Sequence, residues 1–270
     1  MQHSSPIKIA LAKTGKPSFG VWQMMPGANL SRLMARSAGI DWVMIDCEHG
    51  NIDDAAMHEA VPAIATVGVS PIVRISDVNS WMVKRALDSG AHGILVPLAR
   101  SVQQVKDLVK STKFPPQGSR GFGSPFTMQC FSPKPTMGEY LQQANDSLLT
   151  IVQIETQEAL NDVDMIAAVD GLDVLFIGPF DLGNNIGHPI IDGDMSKELK
   201  AAVAQILAAT HKAGKKCGIF CSSGEQARRF AQEGFDMINV ITDFSALQSK
   251  LNESVSCASG SPMWVGRNSY

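Results

Sequence analysis

Four apolar stretches of the sequence carry polar groups that could do chemistry. WVMIDCE (42–48) ends with Asp46 and Glu48, and His49 follows directly. PIVRIS (71–76) contains Arg74, LLTIVQIET (148–156) contains Gln153 and Glu155, and DVLFIGPFD (173–181) ends with Gly178, Pro179 and Asp181. A charge inside an apolar run is costly unless it is paired or bound to metal. Two carboxylates, Glu155 and Asp181, offer oxygen-only ligation. That suits Mg2+ first, with Mn2+ or Co2+ as alternatives, and leaves positions for water and substrate. No HExxH and no paired CxxC is present to argue for zinc. His49, beside Glu48 and three residues after Asp46, suits a general base whose tautomer a carboxylate fixes. Arg74 can stabilise an enolate oxygen or a carboxylate. Each residue also has a structural reading. The carboxylates could pair with Arg74 or cap helices, and His49 could be a satisfied structural histidine.

These stretches belong to a longer rhythm. Apolar, β-rich runs fall at 18–24, 42–48, 71–76, 93–99, 148–156, 173–181, 216–223 and 235–243. Helical patterns follow near 27–38, 53–67, 79–89, 101–111, 157–169, 196–213, 224–233 and 244–252. The runs are continuous rather than alternating, as in strands buried on both faces of a parallel sheet. Eight strand–helix units in 270 residues predict an α/β fold of the (β/α)8 TIM-barrel type. A doubly wound sheet usually offers a glycine-rich turn after its first strand; here QMMPGANL has Gly27 alone. In a barrel, chemistry sits at the carboxyl ends of the strands, where the polar groups fall. The reading gives one barrel domain over 1–252 and an irregular tail over 253–270. The Pro- and Gly-rich stretch 113–147 reads as a long loop that could close over the barrel mouth.

Composition narrows the partners. There are 23 Lys+Arg against 26 Asp+Glu, for a net charge of −3, and no basic run, so nucleic acid and anionic membrane surfaces lack an electrostatic footprint. No apolar stretch approaches the ~18–20 residues of a membrane-crossing helix. The N-terminus has too short an apolar core for a signal peptide. Five cysteines, an odd and sparse count, fit reduced thiols and a cytoplasmic protein. Weaker motifs carry less. Arg120-Gly-Phe-Gly-Ser-Pro follows no strand, Thr14-Gly15-Lys16 is followed by Pro17, and Cys217 and Cys221 read as core.

DWVMIDCEHG, PIVRIS, FPPQGSRGFG, IVQIET and GLDVLFIGPFDLGNNIGHP, in that order over roughly 17–250, resemble the HpcH/HpaI aldolase family. The resemblance implies a metal-dependent class II aldolase that cleaves 4-hydroxy-2-oxo acids to pyruvate and an aldehyde. It implies a barrel whose last helix is exchanged between subunits, in a hexamer. Carried over by position, Glu155 and Asp181 are the metal ligands and Gln153 an active-site glutamine. Arg74 binds the keto oxygen, and Asp46 with His49 forms the acid–base pair. Gly178, Pro179 and Phe180 open the turn that holds the substrate carboxylate, and Trp22 and Ser124 complete the substrate-binding set. Asp88 matches an acidic position that can approach a neighbouring subunit's site. Two departures stand out: Cys47 where the family commonly has Gly, and Phe180 where Ser or Ala is frequent. The phenylalanine and the 121–137 loop are closer to macrophomate synthase and its fungal relatives. The alternatives are therefore an oxaloacetate decarboxylase or a macrophomate synthase-like enzyme, and, outside catalysis, a barrel that binds a 2-oxo acid or acyl-CoA without turnover.

Overall fold

In a computed structural model describing residues 5–13 and 15–260, the apolar runs become β1 (Ser18–Gln23), β2 (Trp42–Asp46), β3 (Ser70–Arg74), β4 (Gly93–Val96), β5 (Leu149–Ile154), β6 (Val174–Ile177), β7 (Lys216–Ile219) and β8 (Met237–Thr242). All are parallel, each pairs with the next, and β8 pairs with β1, so the sheet closes into the expected (β/α)8 barrel. The strands are buried almost throughout, which explains their unbroken hydrophobicity.

The helices are α1 (Pro6–Leu11), α2 (Ala28–Ala35), α3 (Asp54–Ala65), α4 (Ser80–Asp88), α5 (Val102–Thr112), α6 (Met137–Ser147), α7 (Gln157–Asn161), α8 (Val163–Ala167), α9 (Pro179–Asn185), α10 (Lys197–Lys212), α11 (Gly224–Glu233) and α12 (Asp243–Ser259). Several begin where a side-chain oxygen accepts an orphan backbone N–H: Asp53 before α3, Ser101 before α5, Ser196 before α10 and Thr242 before α12. Period two sorts each strand into an outward set packed under the helices and an inward set. The inward set includes Trp22, Trp42, Met44, Ile72, Leu95, Ile151 and Phe176. Gly20 makes room for this filling, since a Cβ there would lie 2.0 Å from the Trp42 ring. Helix α1 stops the amino end of the barrel. Ile7 and Leu11 join the inner cluster, and the Ile7 N–H donates to Ser70 Oγ at 2.9 Å.

Three expectations change. The strands end earlier than the apolar runs, so Glu48, Glu155 and Asp181 lie just past them, and Asp181 sits in the first turn of α9. The 113–147 stretch contains a 3-10 turn (Thr127–Cys130) and α6, whose start carries a capping box between Thr136 and Glu139. It does not close over the mouth. It leaves α5 and enters β5 at the barrel's amino end, where Ser5 Oγ donates to Ser147 O and His92, just before β4, meets Cys130 O at 2.8 Å. The tail boundary also moves, because α12 continues through Ser259. The remainder of that tail, 261–270, lies outside the described residues, as does Thr14 of the 14–16 motif. Among the described residues no helix is long and apolar enough to cross a membrane. Cys217 and Cys221 are buried core thiols.

Candidate active site

The carboxyl ends of β2 and β3 build the first half of the site. Asp46 and Arg74 are register partners on adjacent strands. Asp46 accepts from Arg74 Nε at 3.0 Å and Nη2 at 2.5 Å, and Oδ2 also accepts from Trp22 Nε1 at 2.9 Å. Burial alone would raise the Asp46 carboxyl; the Arg74 guanidinium and the Trp22 N–H outweigh it and hold the group below the ordinary carboxylate range. The Arg74 guanidinium lies 4.9 Å from the centre of the Trp22 ring. Its remaining Nη1 reaches Glu48 Oε2 at 2.9 Å. An arginine gripped on three sides is a fixed positive charge.

Asp46 does not grip the His49 imidazole, contrary to the expected pair. Its Oδ1 accepts the backbone N–H groups of Glu48 and His49, at 3.0 and 3.1 Å. Asp46 thus shapes the turn that presents both side chains. The imidazole is 60% exposed, and the Glu48 carboxylate is 3.8 Å from its Nε2. Glu48, noted in the sequence beside His49 but given no role of its own, is the carboxylate that lies between Arg74 and the imidazole. It follows Asp46 by two in the same motif, and that period-two spacing was the available signal. Burial raises its carboxyl, and the Arg74 charge opposes the rise.

The second half comes from β5 and β6. Gln153 points inward, and its Nε2 donates to Glu155 Oε2 at 2.7 Å. The backbone N–H of Leu98, in the loop after β4, donates to Glu155 Oε1 at 2.7 Å. Burial pushes the Glu155 carboxyl up to about 7; the Leu98 N–H opposes this, and the charges of Asp181 and Glu48 add to it. Gly178 is needed for space, since a Cβ there would sit 2.6 Å from both Gln153 Nε2 and Glu155 Oε2. Asp181 is exposed at the rim. Phe180 is half-buried, with its ring 6.3 Å from Phe220, which in turn lies 5.3 Å edge-on from Trp22. Pro179 occupies the first turn of α9, where its missing N–H costs nothing.

This donor set fits a hard divalent cation. Glu48, Glu155 and Asp181 act on one another electrostatically, and Arg74 is the cation that offsets them. Gln153 Oε1 is buried with no hydrogen-bond partner. Among the described residues no group of three or more His, Cys, Asp or Glu forms a complete metal cage. Two carboxylates with open positions are what Mg2+ accepts, since it keeps several waters.

Asp88 and Ser124 fall elsewhere. Asp88 ends α4, from which the chain turns into the amino end of β4. It pairs with Arg120 Nη2 at 3.0 Å, and Ser124 Oγ donates to its backbone carbonyl at 2.6 Å. Ser124 therefore does not join its own chain's mouth, because it travels with the 113–147 segment. His188, in the loop after α9, faces Glu198 at 3.6 Å.

A closed parallel barrel with ionisable groups gathered at the carboxyl ends of β2, β3, β5 and β6 is the architecture of a (β/α)8 enzyme. The HpcH/HpaI aldolase/citrate lyase family model matches residues 21–249, and the chain belongs to that family. It is 36% identical over 239 residues to the hydroxypyruvate/pyruvate aldolase of Agrobacterium fabrum, covering 88% of this chain and 87% of that protein. It is 34% identical over 235 residues to the 4-hydroxy-2-oxo-heptane-1,7-dioate aldolase of Klebsiella pneumoniae, covering 87% of each. The crystal structure of an HpcH/HpaI aldolase/citrate lyase family protein from Burkholderia cenocepacia superposes with a TM-score of 0.86 at 31% identity, covering 95% of this chain and all of that one.

Proposed function

We propose that this aldolase-family lyase cleaves a 4-hydroxy-2-oxo acid to pyruvate and an aldehyde through a pyruvate enolate. The observation that carries the reading is that one barrel mouth holds both Arg74, fixed by its ion pair with Asp46, and the buried Glu155 carboxylate. Glu155 and Asp181 would hold the divalent metal on which the family depends, with Mg2+ first and Mn2+ or Co2+ as alternatives. When bound, that cation supplies positive charge that polarises the 2-oxo carbonyl.

The chain's own residues supply the rest. The turn from Gly178 to Asp181 receives the substrate carboxylate. Arg74 sets its charge where enolate charge develops, at no cost of reorganisation, because Asp46 already holds it. His49 takes the proton of the C4 hydroxyl, directly or through water. The C3–C4 electron pair then moves to C3, releasing the aldehyde and leaving the enolate. Gln153 fixes Glu155, and the aromatic wall of Trp22, Phe180 and Phe220 flanks the space. Asp88 would serve a neighbouring subunit's site in a hexamer. Exchange of α12 between subunits is supported by its surface: of its residues Asp243 alone is buried, while Leu247, Leu251 and Val255 form an exposed apolar stripe. A cytoplasmic location belongs to the same reading, supported by five free cysteines.

The test is turnover of a 4-hydroxy-2-oxo acid and, separately, of oxaloacetate, with and without Mg2+. Metal-dependent pyruvate release from the hydroxy-oxo acid supports the proposal. Turnover of oxaloacetate alone assigns a decarboxylase, and turnover of neither assigns a binding barrel.

A further inference from the structure

The loop after β4 contains a backbone feature that its own side chain does not explain. Leu98 has φ 52°, in the left-handed region. Among the described residues Asp192 is the other non-glycine residue with positive φ. Aspartate tolerates that region through local hydrogen bonding; leucine has no such compensation. Packing does not impose the conformation either, because the Leu98 side chain is 43% exposed. What accompanies the conformation is a hydrogen bond from its N–H, with the chain turning left-handed directly after that peptide. β4 pairs with β5 through Leu95↔Ile151 and Val96↔Val152, so the chain leaving β4 runs beside the chain leaving β5. In this left-handed turn the Leu98 N–H donates to Glu155 Oε1 at 2.7 Å. Gln153 holds Oε2 at the same distance. The carboxylate is thus gripped at both oxygens, once from its own strand and once from the neighbouring loop. Strain of this kind persists where the surroundings enforce it, and here the enforcing contact is a charge-assisted hydrogen bond.

We infer that Leu98 is a positioning residue, whose left-handed backbone presets the Glu155 carboxylate for the metal. The inference rests on the reading of Glu155 as a metal ligand. It predicts that residue 98 matters through its willingness to adopt positive φ and through its N–H, and not through its side chain. Glycine and asparagine adopt that conformation readily; valine and isoleucine are the most averse to it.

The experiment is Mn2+ titration of the full-length, metal-stripped protein without substrate, read from the spin-resonance signal of free Mn2+. Leu98→Gly and Leu98→Asn should bind Mn2+ within about twofold of wild type, and Leu98→Val and Leu98→Ile about tenfold more weakly. Replacing Leu98 with its α-hydroxy analogue keeps the side chain but removes the N–H, and should also weaken binding about tenfold. That variant keeps the test decisive should the β-branched ones fold poorly. Equal Kd values across the series, or glycine as the weakest binder, would overturn the inference. Glu155→Gln, run in parallel, separates the two layers. Loss of Mn2+ binding there with a flat Leu98 series sinks the positioning role alone; wild-type binding there removes the ligand assignment and the inference with it.

Discussion

Asp46 and Arg74 are joined at two points, Nε to Oδ1 and Nη2 to Oδ2, with side-chain exposures of 0% and 8%. The contact makes the guanidinium plane part of the barrel frame, with its third nitrogen left for Glu48. A lysine at position 74 supplies charge but not the planar fork. Arg74→Lys should therefore fold, lower kcat by about 10²-fold or more, and change KM much less. Steady-state kinetics on a 4-hydroxy-2-oxo acid checks this. A normal kcat would assign Arg74 to a structural ion pair.

Aldol cleavage requires removal of the C4 hydroxyl proton, whereas decarboxylation of oxaloacetate to the same enolate requires no base. The His49 imidazole is exposed, with the Glu48 carboxylate 3.8 Å from its Nε2, which suits proton exchange with substrate or water. His49→Ala should reduce aldol cleavage by about 10²–10⁴-fold and leave oxaloacetate decarboxylation far less affected. Equal losses in the two assays would give His49 a positioning role instead.

Gly178 directly follows β6, and a Cβ there would lie 2.6 Å from Glu155 Oε2. A methyl group there must displace Gln153 Nε2 or Glu155 Oε2, both of which are buried and hydrogen-bonded to each other. Gly178→Ala should weaken Mg2+ binding about tenfold or more while the circular dichroism spectrum of the barrel is retained. Calorimetric titration measures it, and wild-type affinity would show that the pair can move aside.

At the opposite end of the barrel, His92 stacks on Phe131 and bridges Ser70 Oγ and Cys130 O. Burial lowers its pKa to about 4. The carbonyl can only accept, so Nε2 carries the proton and Nδ1 accepts from Ser70. The unfolded chain takes up a proton near pH 6.5, and the folded chain only near 4. Stability should therefore be complete above about pH 6.5 and fall by about 3 kcal/mol as the pH drops to 4. His92→Gln should flatten that slope in urea unfolding measured across the window. An unchanged slope would assign the acid sensitivity to other groups.

The barrel was legible because buried parallel strands are apolar throughout, and the polar residues at their ends were legible as interruptions. The same continuity hid where strands stop. Glu155 and Asp181 extend apolar runs in sequence, yet they belong to the loop and helix beyond. The 113–147 stretch read as loop because Pro and Gly dominate its first half, which masked the capped α6 in its second. Which end of the barrel it decorates follows from chain direction: it leaves the foot of one helix and enters the foot of the next strand. The end of α12 was obscured because its last turns are rich in serine, although Leu247, Leu251 and Val255 keep a helical spacing into them. Leu98 had no signal at all, since its contribution is a backbone conformation.

On the function proposed above, the enolate forms by metal assistance at Glu155 and Asp181 and not through a lysine imine. Lys216 is the one lysine on a barrel strand among the described residues, and it opens β7 at the amino end, paired with Asp236 at 2.8 Å. The most direct measurement is exchange of the pyruvate methyl protons in D2O, followed by proton NMR. With Mg2+ the wild-type enzyme should erase the methyl signal, and stripping the metal or substituting Glu155→Gln should stop the exchange. Undiminished exchange in the metal-stripped enzyme would contradict the account.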